Sequence, residues 1–174
     1  SIPLVIIGYI FYSTNLIDQF RNLKVVAWTT LIFGVLLYFS DKFELKNKIS
    51  SELNIKSIII IGLFQILAII PGVSRSGIVI TTSRFLKFDR VESSKIAFYL
   101  SIPALAGASV LGFKDVIDDQ INFDTVFIFS TLASFLFSYF TIKYFLIYVK
   151  MFSLSFFVIY RIVLSIILFS IIYL

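Results

Sequence analysis

Two apolar runs, Ile58 to Ile70 and Ile78 to Leu86, are separated by Pro-Gly-Val-Ser-Arg-Ser-Gly at 71–77. As a helix the first run would rise about 20 Å, short of a hydrocarbon core of about 30 Å. Pro71 cannot extend the helical hydrogen-bond ladder and Gly72 opens backbone angles closed to other residues, so the chain must break here. The second run then begins a new helix whose first turn offers unpaired amides and the positive end of a dipole beside Ser74, Arg75, Ser76 and Gly77. Arg75 can fork two hydrogen bonds onto a phosphoryl group, the serine hydroxyls can donate more, and Gly77 lets the backbone come close. These residues read as a phosphate site. The plainer alternative is a turn whose arginine snorkels to lipid headgroups. Gln65 reads equally as an interhelical hydrogen-bonding contact or as a site residue.

Composition decides the medium in which the break must survive. The 174 residues are 59% hydrophobic with a mean hydropathy of +1.01, against about 45–50% apolar for an average soluble domain. The chain is read as a single integral membrane domain, an all-α bundle of several transmembrane helices with a re-entrant helix–break–helix hairpin over 58–86. Irregular backbone at membrane depth persists only when buried in protein or lining a wet cavity, which a hairpin provides. There is no cysteine, hence no disulfide or thiol chemistry. The net charge of +5 sits mostly in loops, as membrane topology requires, so no nucleic-acid partner is expected.

Around the hairpin, Ser1 to Phe11 reads as the tail of a spanning helix, Asn15 to Lys24 as a polar turn and Val25 to Ser40 as a second span. Asp41 to Lys56 reads as a charged loop. Asp89-Arg90-Val91-Glu92 has capping-box spacing and predicts a helix from Arg90 through Phe113, kinked at Pro103. On it Ala104, Ala108 and Gly112 recur every four residues, a face that a neighbouring backbone could approach. Asp115, Asp118, Asp119 and Asp124 lack the spacing of a calcium loop and read as solvated. Thr125 to Ile142 and Ser153 to Leu174 predict two further spans, joined by a loop over Lys143 to Phe152. Arg161, deep in the last span, either pairs with a carboxylate or carbonyl or reaches the cavity of Arg75.

Charge tests the hairpin independently. If it enters and leaves on one face, the stretches 41–56, 84–95 and 143–150 share that face and carry ten lysines and arginines, against Arg21, Lys24 and Lys114 opposite. The positive-inside rule then sets the basic face in the cytoplasm and the C-terminus outside.

The stretch GLFQILAIIPGVSRSG, through Gln65, Ala68, Pro71, Gly72, Ser74, Arg75, Ser76 and Gly77, resembles the second signature of the undecaprenyl-diphosphate phosphatase family of bacitracin-resistance membrane phosphatases. The rest of the chain runs like that family's C-terminal two-thirds, including the Tyr160–Arg161 pair. The resemblance implies hydrolysis of undecaprenyl diphosphate to undecaprenyl phosphate and inorganic phosphate, recycling the lipid carrier for peptidoglycan synthesis in the bacterial inner membrane. It also implies a divalent cation, Mg2+ or Ca2+, and a membrane-lipid environment; the sequence leaves a homodimer open beside a monomer. Arg75, Ser74 and Ser76 become the expected catalytic residues, with Gly72, Gly77 and Gln65 at the phosphate. Two departures stand out. Val73 and Val79 occupy positions where the family usually has threonine. A glutamate-rich first signature with a histidine is absent, and the chain contains no histidine. We therefore expect an N-terminally truncated fragment, inactive alone, with the metal ligands in the missing part. The competing readings are an anionic-lipid transporter or flippase that binds phosphate at the same broken helix, and a purely structural membrane subunit. Phosphatidic-acid phosphatases are disfavoured because their chemistry depends on histidines.

Overall fold

The structure, a computed structural model, describes residues 1–14, 16–43, 49, 53–118 and 125–173, with side chains at all of these but 17, 18, 111 and 113–118. The side chains of Asp115, Asp118, Asp119 and Asp124 lie outside that set, as do Lys46 and Lys48 of the charged loop.

The described chain is helical throughout: α1 Ile2–Ser13, α2 Leu16–Phe20, α3 Leu23–Asp41, α4 Ile55–Phe64, a 3-10 turn Gln65–Ile69, α5 Arg75–Phe85, α6 Arg90–Asp118, α7 Thr125–Met151 and α8 Ser155–Tyr173. Local chemistry sets several boundaries. The Asn22 side chain accepts from the Lys24 amide and starts α3, and Asn54 accepts from Ser57 and starts α4. Asp89 accepts from the Glu92 amide at the start of α6, as the capping spacing predicts. Among the described residues α3, α7 and α8 are long and apolar enough to cross a membrane. This is an all-α membrane bundle.

Two expectations are corrected. The stretch from Lys143 to Met151, read as a loop, forms the last turns of α7. Its apolar content is continuous with the preceding span, and a lysine every seven residues does not stop a helix. The predicted close approach at Ala104, Ala108 and Gly112 is also misplaced: Ala104 is buried, but Ala108 is exposed and nothing lies within 4 Å of a Cβ built on Gly112. The close approach on α6 is at Gly107, where a Cβ would come 3.1 Å from Val5 of α1. Pro103 lies within α6, which runs unbroken from Arg90.

α3 and α8 pack antiparallel. Trp28 meets Phe169 edge-on at 5.1 Å near one end, and the Leu154 amide donates to Asp41 at the other. At mid-length Gly34 admits the Arg161 stem, whose Cβ would lie 3.2 Å from a Cβ at that glycine. Against this pair sits α5, with every residue from Ile78 to Arg84 buried. Its apolar side joins Leu37, Ile61, Phe88, Ile96, Val149 and Val158 in one core. Lipid is as apolar as these side chains, so van der Waals packing and interhelical hydrogen bonds hold the core together, with little hydrophobic driving force. By contrast α7 buries only Val149 among its residues and exposes most of its aromatics, as a lipid-facing span does, while Phe145 and Tyr148 near its end pack against the core.

Both ends of the hairpin come to the same end of the bundle. The Ile49 amide, before α4, donates to Glu92 of α6 at 3.3 Å. Arg84, at the end of α5, donates to the main-chain carbonyls of Asp41, Phe43 and Phe88. Asp41 gathers this end of the fold: its carboxylate takes Arg90 at 2.6 and 3.1 Å, stands 3.8 Å from Arg84 and accepts the Leu154 amide at 2.9 Å. One carboxylate therefore ties together α3, α5, α6 and α8.

Candidate functional site

The break is longer and its second helix earlier than the apolar runs suggest. The α-helix stops at Phe64, a 3-10 turn carries Gln65 to Ile69, and α5 begins at Arg75, three residues before Ile78. The reason is a cap. The Ser74 hydroxyl accepts from the Gly77 amide at 3.2 Å, so Arg75, Ser76 and Gly77 form the first helical turn. Gly72 has φ +89° and Ser74 φ +67°. The first is ordinary for glycine; the second is strained for serine and persists only because the surroundings fix it.

Those surroundings satisfy the irregular backbone. Thr29 donates to the Pro71 carbonyl at 2.6 Å and Thr30 to that of Gly72 at 3.4 Å. Nη2 of Arg161 donates to the carbonyls of Gly72 at 2.5 Å and Val73 at 2.8 Å. Side chains of α3 and α8 thus supply the donors that membrane depth denies to exposed carbonyls. A Cβ on Gly72 would lie 2.2 Å from Thr29 Oγ1 and 2.8 Å from the Val26 carbonyl, so no larger residue fits.

Two cavities flank the start of α5. The first, of about 460 Å3, is lined by Thr30, Gly72, Ser74, Ser76, Gly77, Tyr160 and Arg161 and by apolar side chains including Leu37, Ile80, Phe157 and Leu164. The second, of about 390 Å3, lies toward α6 and α7 and is lined by Arg75, Ser76, Ser101, Ser138 and Thr141 with apolar neighbours. Ser76 borders both. The structure therefore brings Ser74, Ser76, Gly72 and Gly77 to one cavity and sets Arg75 in the other. The amides of Arg75 and Ser76 have no acceptor among the described residues, which leaves two donors at the positive end of the helix.

Gln65 lines neither cavity. It is fully buried at the start of the 3-10 turn; Ser1 donates to its Oε1 at 3.5 Å and its Nε2 has no partner among the described residues. Val73 and Val79 are likewise buried in the core, 0% and 1% exposed, and line neither cavity. Thr81 and Thr82 are buried too, and do not bring hydroxyls to the break in their place. Arg161 meets the first of its sequence readings, since it binds carbonyls, but not the second: it lines the first cavity, whereas Arg75 lines the other. Its depth in an apolar span was the available signal. Which group it would meet was not readable.

Among the described residues no three metal-ligating side chains converge. Asp41, the buried carboxylate, is committed to Arg84, Arg90 and the Leu154 amide. These residues do not fit a divalent cation. What the arrangement can do is neutralise and orient an anion, with guanidinium groups, hydroxyls and helix-terminal amides, next to a greasy volume.

Comparison with known proteins is consistent with that chemistry. The sequence model of the family described as bacitracin resistance protein BacA matches residues 1–167. An undecaprenyl-diphosphatase of Pelagibacter ubique is 58% identical over 174 residues, covering 99% of this chain and 68% of the relative. That of Elusimicrobium minutum is 41% identical over 168 residues, covering 97% of this chain and 63% of its own length. That of a Ruegeria species is 40% identical over 123 residues, 70% of this chain and 46% of the relative. The chain thus spans about half to two thirds of the length of the curated relatives it matches.

Proposed function

The chain belongs to the bacitracin resistance protein BacA family, and on that premise we propose that it serves hydrolysis of undecaprenyl diphosphate to undecaprenyl phosphate and inorganic phosphate in the bacterial inner membrane. This reaction returns the lipid carrier to peptidoglycan synthesis. The observation that carries the reading is the start of α5, where two amides have no acceptor among the described residues, Ser74 and Ser76 line a cavity together with Arg161 and several apolar side chains, and Ser76 also borders the second cavity, which Arg75 lines. The ligand that suits such a site has a phosphoryl head and a hydrocarbon body.

Phosphoryl transfer is accelerated chiefly by positioning and by charge stabilisation on the transferring oxygens. Arg75 supplies positive charge and a planar fork. Ser76, bordering both cavities, and Ser74 orient the phosphoryl group, and the α5 dipole favours the added negative charge. Gly72 and Gly77 keep side chains out of the approach.

The test is phosphate release from undecaprenyl diphosphate by the native polypeptide in detergent micelles. Arg75→Ala is expected to lower the rate by about 10²–10³, the loss typical of removing one transition-state donor. An unchanged rate in a folded Arg75→Ala protein would sink the reading. The second reading, translocation of an anionic lipid without hydrolysis, uses the same amphipathic cavity. It requires labelled lipid to change leaflets while no phosphate is released.

A further inference from the structure

We propose that Arg161 is a second anion-binding arginine of this site, taking a phosphoryl group of the lipid ligand from the cavity that Arg75 does not line. The inference rests on the phosphate-site reading above and adds a residue and a side of approach to it.

Arg161 lies on α8 and is only 8% exposed. It forms no ion pair with any described carboxylate. The Gly72 and Val73 carbonyls occupy Nη2, satisfying hydrogen bonding there without neutralising the charge. Nη1 and Nε have no acceptor among the described residues, and a Cβ on Gly77 would lie 2.8 Å from Nη1. The unused edge of the guanidinium is therefore set against the first turn of α5, where Ser74 and Ser76 border the same cavity. Arg84 is buried to a similar degree but has Asp41 beside it. A buried cation lacking a counter-charge is costly, and an arriving anion removes that cost.

Space for the guanidinium is made by glycines on two neighbouring helices, Gly34 of α3 beside its stem and Gly77 of α5 beside its head. Apolar side chains, Leu37, Ile80 and Phe157 among them, form other walls of the same cavity. A phosphoryl group held by Arg161, Ser74 and Ser76 would direct an attached hydrocarbon along those walls. Phosphate is the shared chemistry, and it can come from the lipid headgroup or from a free anion.

The experiment measures binding to the native polypeptide in detergent micelles by titration calorimetry. The probes are a non-cleavable farnesyl diphosphonate, inorganic diphosphate, and farnesol as the phosphate-free control. Arg161→Met is expected to weaken farnesyl diphosphonate by about tenfold or more, the loss of a charge-assisted contact, while farnesol stays within about twofold. Inorganic diphosphate weakened by the same factor assigns the contact to phosphate itself; unaffected, it assigns the contact to the lipid-linked headgroup. Unchanged diphosphonate binding overturns the proposal, and so does an equal loss for farnesol, which would make Arg161 a backbone clamp only. If Arg161→Met does not fold, Arg161→Lys keeps the charge and one donor set. It should lose about threefold or more for the diphosphonate alone, and wild-type affinity in that variant counts against the proposal. A wild-type protein that binds farnesyl diphosphonate no better than farnesol overturns the phosphate-site reading itself, together with this one.

Discussion

Arginines occur in two regions of this molecule under opposite conditions. At the hairpin's open end, Arg84 and Arg90 converge on Asp41, and Arg84 also has three carbonyls for its donors. At the break, Arg75 and Arg161 have no carboxylate among the described residues, and each lines a cavity. A cation with its partner supplied in the fold holds helices together. One without a partner holds binding energy for something that arrives. The same side chain is ion-paired in one region and lines a cavity in the other, and what separates the two is Asp41.

That contrast makes quantitative demands. Asp41→Ala should have the largest effect on stability, roughly 3–5 kcal/mol, because it strands a buried arginine and frees a helix-start amide. Unfolding in detergent reads it, and turnover per folded molecule should persist; a fully folded variant without turnover would erase the distinction between the regions. Arg75→Ala should do the reverse. Its unfolding midpoint should match wild type while the rate falls by about 3–4 kcal/mol of transition-state energy, and a midpoint drop as large as that of Asp41→Ala would make Arg75 a structural residue.

Gly72→Ala sharpens the comparison at the backbone. It places a methyl group against Thr29 Oγ1 and the Val26 carbonyl at φ +89°, so a stability loss of about 1–3 kcal/mol is expected. Wild-type stability would mean that the break is looser than its hydrogen bonds imply. Ser74 gives the smallest effect. Ser74→Ala removes the cap and keeps the strain, costing about 1 kcal/mol, whereas Ser74→Gly relieves the positive φ and should cost only about a few tenths. Equal losses in the two variants would mean that the cap, and not the strain, governs this position.

Much of this was legible in the residues. Pro71-Gly72 announced the break because proline lacks the donor and glycine permits the positive φ that appears there. Asp89 announced its helix, because capping is a local hydrogen bond within a few residues. At the end of α7 the charge pattern predicts a loop, yet Lys143 and Lys150 both fit on a helix surface and the helix continues. The close approach on α6 differs from its predicted place for another reason. Small residues permit close approach, but only the neighbour's position selects the glycine that is used, here Gly107 against Val5.

The sequence by itself determined the medium, the helical class, the place of the break and the residue types suited to phosphate, because these follow from hydropathy, local backbone sterics and side-chain chemistry. Only the tertiary structure decided which arginine is neutralised and which is not. It also divided Arg75 from Ser74 and Gly77 between two cavities, withdrew Gln65, Val73 and Val79 into the interior, and set Arg161 of α8 against a motif nearly ninety residues earlier. The physical reason is range. A carboxylate and a guanidinium neutralise one another only within a few ångströms, and the packing of α3, α5 and α8 creates those distances.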